Sequence, residues 1–282
     1  MLFKRMLLCA AVIGTTFIPA HAKSNFELPD LGTSALKALP IEKERAIGEV
    51  MMMQIRGSSA VIDDPVLHEY ISGLGNKLVS HANDVRFPFA FFIINNPEIN
   101  AFAFYGGHVG IHTGLIAQAD NESQLASVLG HEIAHVTQLH LARRLQQQQD
   151  NSGLTIAGMI AGLLATLVSP DAGLAIISGT QTQSALSQLT HSRGAEQEAD
   201  RIGMRTLYDA GFDPNASGEF LTKLSAQMRY RQKPPVFLLT HPLPQSRVSD
   251  VRLRAQQYEA RRYIDSLSFQ LAKSRVLARY GN

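Results

Sequence analysis

The sequence predicts an α+β fold, mainly helical, with a small antiparallel sheet beside one central helix. Three observations carry this expectation. Apolar residues recur every three or four positions through most of the chain, which is the period of an amphipathic helix. Residues 87–112 contain short aromatic and β-branched runs broken by Gly106-Gly107, which read as strands around a tight turn. Between residues 121 and 145 a helical segment carries His131 and His135, four positions apart and therefore on one helix face.

The chain opens with Lys4 and Arg5, an apolar run over residues 6–19, and Ala20-His21-Ala22. That order is the pattern of a secretory signal peptide, cleaved after Ala22. The run is shorter than the ~20 apolar residues that a spanning helix needs. Cys9 lies inside the run and follows leucines, so it does not mark a lipoprotein site. The mature chain from Lys23 has no cysteine, which excludes disulfides and thiolate metal sites. The chain has 26 Lys and Arg against 24 Asp and Glu, and loss of Lys4 and Arg5 leaves 24 of each. A balanced mature charge gives no reason to expect nucleic acid as a partner.

Residues 23–40 read as an extended leader. Ile41, Ile47, Val50, Met51 and Ile55 set a helix over 41–57, and Val66, Leu67, Tyr70, Ile71, Leu74 and Leu78 set another over 65–81. Strands are expected over 87–94, 101–105 and 108–112, the last two joined by the Gly-Gly turn. Asn121 is an N-cap with Gln124 three residues on, so a helix starts there and runs to about 145. The polar tract 146–151 reads as a mobile surface loop. Residues 154–168 and 172–177 are apolar around Pro170-Asp171, and each half is too short to span a bilayer, so a buried or cleft-covering hairpin is expected. A helix over 182–210 stops at Gly211-Phe212-Asp213-Pro214, and another covers 215–230. A proline-rich loop follows over 233–245, then a helix over 246–262. Residues 263–282 have helical spacing and read as the first helix of a truncated repeat array, since one helix alone cannot bury its apolar face.

The chemistry centres on His131-Glu132-Ile133-Ala134-His135. Two imidazoles at i and i+4 on a helix can close on one Zn²⁺ at ~2.0–2.1 Å. Glu132 projects about 100° further round, beside the metal, where it can take a proton from the attacking water. A hydrolytic zinc needs a third protein ligand and one open position. Glu196 and Asp200 in Glu196-Gln197-Glu198-Ala199-Asp200 are again i and i+4. Glu196 can reach the metal, and Asp200 can accept a hydrogen bond from the outer nitrogen of a ligating imidazole. From spacing alone, a solvated acidic helix face explains the pair equally well, and Glu198 reads as just that.

These motifs together resemble the M48 peptidases. Supporting residues are Asn100-Ala101-Phe102-Ala103 with Gly106-Gly107, then Gly114-Leu115-Ile116, then Thr240-His241-Pro242. The resemblance implies a zincin-type metallopeptidase domain over 23–262 with one Zn²⁺ per chain. It implies His131, His135 and Glu196 as zinc ligands, Glu132 as general base and Asp200 as a supporting or proton-donating residue. The signal peptide and repeat-like end narrow it to the periplasmic branch. Its expected substrates are unfolded or misassembled envelope proteins, and its expected partner is the outer-membrane β-barrel assembly machinery. His191 stands where relatives often have an aromatic residue, and the tetratricopeptide-like array expected after 263 is not present in full. The competing reading is a chaperone-like assembly factor for outer-membrane proteins with a latent zinc site.

The other histidines divide. His140, five residues after His135, points off the ligand face. His108 and His112 read as half-exposed strand residues, on an edge strand that could pair with an extended substrate. His241 lies among Pro234, Pro235, Pro242 and Pro244, which restrict where its loop can point. Two tasks remain open for it. It could be a fourth zinc ligand that closes the open position, or a donor to the developing oxyanion.

Overall fold

The structure, a computed structural model, describes residues 36, 39–57, 60–152, 191–230, 235–261 and 263–281. The expected signal peptide, most of the leader, the apolar hairpin of 154–177, the first part of the 182–210 helix and Pro234 lie outside them. Among the described residues, no helix is long and apolar enough to cross a membrane.

The first helices follow the apolar spacing. Helix α1 (Ile41–Gly57) buries Met51, Met52 and Ile55. Helix α2 (Pro65–Val79) is capped by Asp64, whose carboxylate accepts from the N–H of Val66 at 3.2 Å and of Leu67 at 3.3 Å. Pro65 sits at the first helical position, where its missing N–H leaves no bond unmade.

Strands β1 (Ala90–Ile94), β2 (Ala101–Phe104) and β3 (His108–His112) form one sheet in the order β1-β3-β2. The expected sheet was antiparallel; it is mixed. β2 and β3 are antiparallel across the Gly106-Gly107 turn, where both glycines have positive φ, 79° and 82°. β1 lies on the other side of β3 and runs parallel to it, because the connection from β1 passes across to the far edge before the hairpin begins. Successive residues of β1 face different cores. Phe91 and Ile93 join the main one, while Phe92 and Ile94 join a smaller one with Phe102 and Phe104. A strand covered on both faces reads as a continuous apolar run, as β1 does.

The central position in β3 overturns two expectations. His108 and His112 are buried, at 5% and 4% exposure, rather than half-exposed. β3 is also flanked on both sides, so the outer edge falls to β2.

Helix α3 (Thr113–Gln118) leads to α4 (Glu122–Thr137), every residue of which is buried. Asn121 caps α4 by accepting from Gln124 N–H at 2.9 Å. The Gln124 amide oxygen turns back to accept from Asp120 N–H at 3.0 Å. The expected single helix to 145 is two: the chain breaks at Gln138 and Leu139, the latter at φ 54°, and α5 (His140–Ser152) starts anew. The tract expected as a loop over 146–151 continues α5, as glutamine's good helix propensity allows.

Helices α6 (Arg193–Asp209), α7 (Asn215–Tyr230), α8 (Phe237–Thr240), α9 (Gln245–Ala255) and α10 (Leu267–Tyr280) complete the described fold. Gly211, at φ 89°, ends α6 as the sequence indicates. The short α8 falls inside the stretch expected as loop. α10 does bury a face: Phe269, Ala272 and Val276 belong to the main core, each large side chain contributing about 1.5–3 kcal/mol. Arg275 Nε is 2.7 Å from Asp64, which ties α10 to the cap of α2. Leu267, Leu271 and Leu277 remain exposed on its other face.

Candidate metal centre

Helix α4 presents His131 and His135 on one face, α6 brings Glu196 from its first turn, and the end of α8 brings His241. All four are buried, and one ligand atom from each falls within 4.8 Å of the others. Short contacts link His131 Nε2, His135 Nε2, Glu196 Oε1 and His241 Nδ1. His131 and His135 lie 3.0 Å apart, and His135 and Glu196 3.3 Å. His241 stands 3.4 Å from His131 and 3.0 Å from Glu196. Ligands bound at ~2.0–2.1 Å around a tetrahedral ion stand roughly 3.3–3.4 Å apart, so the spacing fits a shared cation.

Charge points the same way. With His131 neutral, as a metal ligand must be, ionised Glu132, Glu196 and Asp200 bring three negative charges into a buried space where Arg247 brings one positive. A surplus of anions away from water is costly, and a divalent cation offsets it. Burial is the largest influence on Glu196 and would raise its pKa. The charge of His241 and hydrogen bonds from His131, His135 and His241 outweigh it and hold the carboxyl well below the usual range. Burial lowers His131, but its contacts with Asp200 and Glu196 win and raise it to about 9 in the ion-free protein. His135 is held well below the usual imidazole range, first by burial and then by His191. An imidazole binds a metal only in its neutral form, so a cation entering here would displace the proton from His131, while His135 is already held neutral.

Glu132 is 1% exposed and is displaced from the ligand cluster. Burial raises its pKa, opposed by the charges of His241 and His131 and by a backbone hydrogen bond from Ala103. Its Oε1 has no hydrogen-bond partner, and His241 Nε2 stands 3.5 Å away. A buried carboxylate oxygen left unpaired is placed to receive a proton. The Ala103 contact also sets the outer edge of β2 against the centre, the role that the sequence reading gave to residues 108–113.

Asp200 lies 3.0 Å from the outer nitrogen of His131, a close contact at an angle poor for a hydrogen bond. Arg247 grips Asp200 with two bonds, Nη2 to Oδ1 measuring 2.8 Å, and also pairs with Glu196. Burial would raise Asp200, yet Arg247 holds it below the carboxylate range. The sequence reading missed Arg247. Its signal was a basic residue on the stripe that α9 otherwise fills with Val251, four positions on.

His140 and Glu198 were also misplaced. His140 Nδ1 is 2.8 Å from His135 Nδ1, and its Nε2 is 3.1 Å from Glu198, which Arg143 meets at 2.9 Å. The break at Leu139 returns His140 to the site, which five residues of unbroken helix would not. His191 packs over His135 with ring centres 4.0 Å apart, and its N–H donates to Thr240 C=O at 2.9 Å. His241 stacks on Phe237 at 4.4 Å, so packing as well as the neighbouring prolines fixes its ring.

Residues 65–255 match the family described as peptidase family M48. The chain is 49% identical over 276 residues to the Beta-barrel assembly-enhancing protease of Escherichia coli (strain K12), covering 98% of this chain and 56% of that protein. It is 50% identical over 254 residues to the Beta-barrel assembly-enhancing protease of Yersinia pestis, covering 90% and 52%. To the bovine protein named Metalloendopeptidase OMA1, mitochondrial, it is 33% identical over 156 residues, covering 53% and 29%. The chain thus spans just over half the length of the two bacterial relatives.

Proposed function

The chain belongs to peptidase family M48, and from that premise we propose that it is a zinc endopeptidase of the bacterial periplasm acting on misfolded or misassembled envelope proteins. The observation that carries this reading is the convergence of His131, His135, Glu196 and His241 within 4.8 Å. The donor set of imidazoles and a carboxylate suits zinc. Export rests on the signal-peptide pattern of residues 1–22. The substrate class, and the assembly machinery as partner, rest on the names of the bacterial relatives.

His131, His135 and Glu196 are the permanent ligands in this reading. A bound zinc ion would polarise the scissile carbonyl and acidify the attacking water. Glu132 takes the water's proton and passes it to the leaving amine. Asp200, charge-balanced by Arg247, orients His131. β2 is an edge strand, and an extended substrate can lie along it as an added strand.

His241 is the latch. Its Nδ1, 3.0 Å from Glu196, would complete the ligand set around a bound ion, while its Nε2 faces Glu132 at 3.5 Å. A catalytic zinc needs that position free, so the loop must swing out before hydrolysis. Low resting activity suits an enzyme surrounded by unfolded clients.

Digestion of casein or an unfolded porin, with Glu132→Gln as control and metal analysis alongside, tests the proposal. The parent should cleave, and Glu132→Gln should keep zinc and lose cleavage. Equal porin assembly by both proteins, with no cleavage by either, would favour the chaperone-like role.

A further inference from the structure

We infer that His140, backed by Glu198 and Arg143, is a positioning residue that fixes the tautomer of His135 and aims its Nε2 at the metal. The inference rests on the metal-centre reading above. Two ring nitrogens 2.8 Å apart, His135 Nδ1 and His140 Nδ1, share one hydrogen. Which ring owns it is decided further out. The Glu198 carboxylate can only accept, so it takes the Nε2–H of His140 at 3.1 Å. As a neutral imidazole, His140 then has its lone pair on Nδ1. It accepts from His135 Nδ1–H, and the lone pair of His135 is left on Nε2, the atom in the ligand cluster. Arg143, 2.9 Å from Glu198, keeps that carboxylate ionised and in place.

The backbone supports a dedicated arrangement. Five residues of continuous helix would turn His140 about 140° away from His135. Leu139 instead adopts φ 54°, a left-handed conformation that costs a non-glycine residue about 1–2 kcal/mol. The break reverses the turn and buries His140 against His135 at 3% exposure. The two helix-borne ligands are therefore held differently from outside. His131 faces the carboxylate of Asp200 directly, and His135 reaches Glu198 through a second imidazole.

The test is the zinc dissociation constant of the purified full chain, measured by chelator competition at one pH, with melting of the apo-protein alongside. His140→Phe keeps the ring volume and removes the acceptor. It should weaken zinc binding on the order of 10–100-fold. His140→Asn places an amide oxygen near the lost Nδ1 and should recover most of that affinity. Glu198→Ala should weaken binding in the parent but add little to His140→Phe, because both act through one hydrogen. Parent-like affinity in His140→Phe overturns the inference. So does an Asn variant as weak as the Phe variant with parent-like apo melting, which would assign the effect to packing. If His140→Phe does not fold, Glu198→Ala decides, and parent-like affinity there overturns it. Parent-like zinc binding in a His131→Ala, His241→Ala double variant would instead fail the metal-centre reading itself, and the inference with it.

Discussion

Gly130 of α4 and Gly203 of α6 meet backbone to backbone: a β-carbon at Gly203 would stand 2.9 Å from the Gly130 carbonyl. The contact sets the depth at which α6 enters the site. Gly203 follows Glu196 by seven residues, two helical turns along one face, and Gly130 directly precedes His131. Gly203→Val should push the helices apart. We expect a loss of about 1–3 kcal/mol in stability, read by denaturant unfolding of the apo-protein, and weaker zinc binding. Unchanged values for both would show that the close approach does not position the ligands.

Arg247→Met tests the buried ion pair. Arg247 is 2% exposed and serves both Asp200 and Glu196. Removing one partner leaves buried charge uncompensated, which costs about 3–5 kcal/mol. Apo-protein unfolding should show that loss, and zinc should restore part of it. A neutral effect on stability would mean that the carboxylates find other partners.

His241→Ala separates latch from oxyanion donor. As a latch it leaves zinc bound through three ligands and gives proteolysis equal to or above the parent. As a donor it would lower the rate on the order of a hundredfold with zinc retained. Steady-state cleavage of an unfolded substrate decides between them.

Glu44 makes stability depend on pH. It is 4% exposed, and burial raises its pKa from 4.5 to about 7 against a backbone hydrogen bond from Gly106. Below pH 4.5 the folded and unfolded chains are both protonated there. As pH rises toward 7 only the folded chain retains the proton, so its stability advantage is lost, and above 7 the loss is complete. Glu44→Gln escapes this cost. It should be more stable than the parent at pH 8, by up to about 3 kcal/mol in unfolding free energy, and the difference should vanish near pH 4. A gain of equal size at both pH values would trace the effect to packing.

Much of the fold was legible because its signal is local. The apolar spacing of α1, α2 and α7 and the Asn121 cap are written within a turn or two of the residues they order. The same holds for the His131–His135 pair and for Glu196 with Asp200. What stayed hidden depends on distant partners. Arg247 acquires its role from Asp200, 47 residues earlier, and His140 from Glu198, 58 residues later. The break at Leu139 has no glycine or proline to announce it. The place of β1 beside β3 was hidden too, since pairing order depends on how the 95–100 connection crosses the sheet. His108 and His112 carried a polar signal on a strand, β3, that the fold covers on both faces.

The central claim is that His131, His135 and Glu196 hold the metal. If His241 also binds, a single lost ligand can leave three, so the decisive comparison uses the His241→Ala background. The measurement is the zinc content of purified His241→Ala beside that of the His241→Ala, Glu196→Ala double variant. The account predicts about one zinc per chain in the first, because three ligands suffice, and a marked loss in the second. One zinc per chain in both proteins would contradict it.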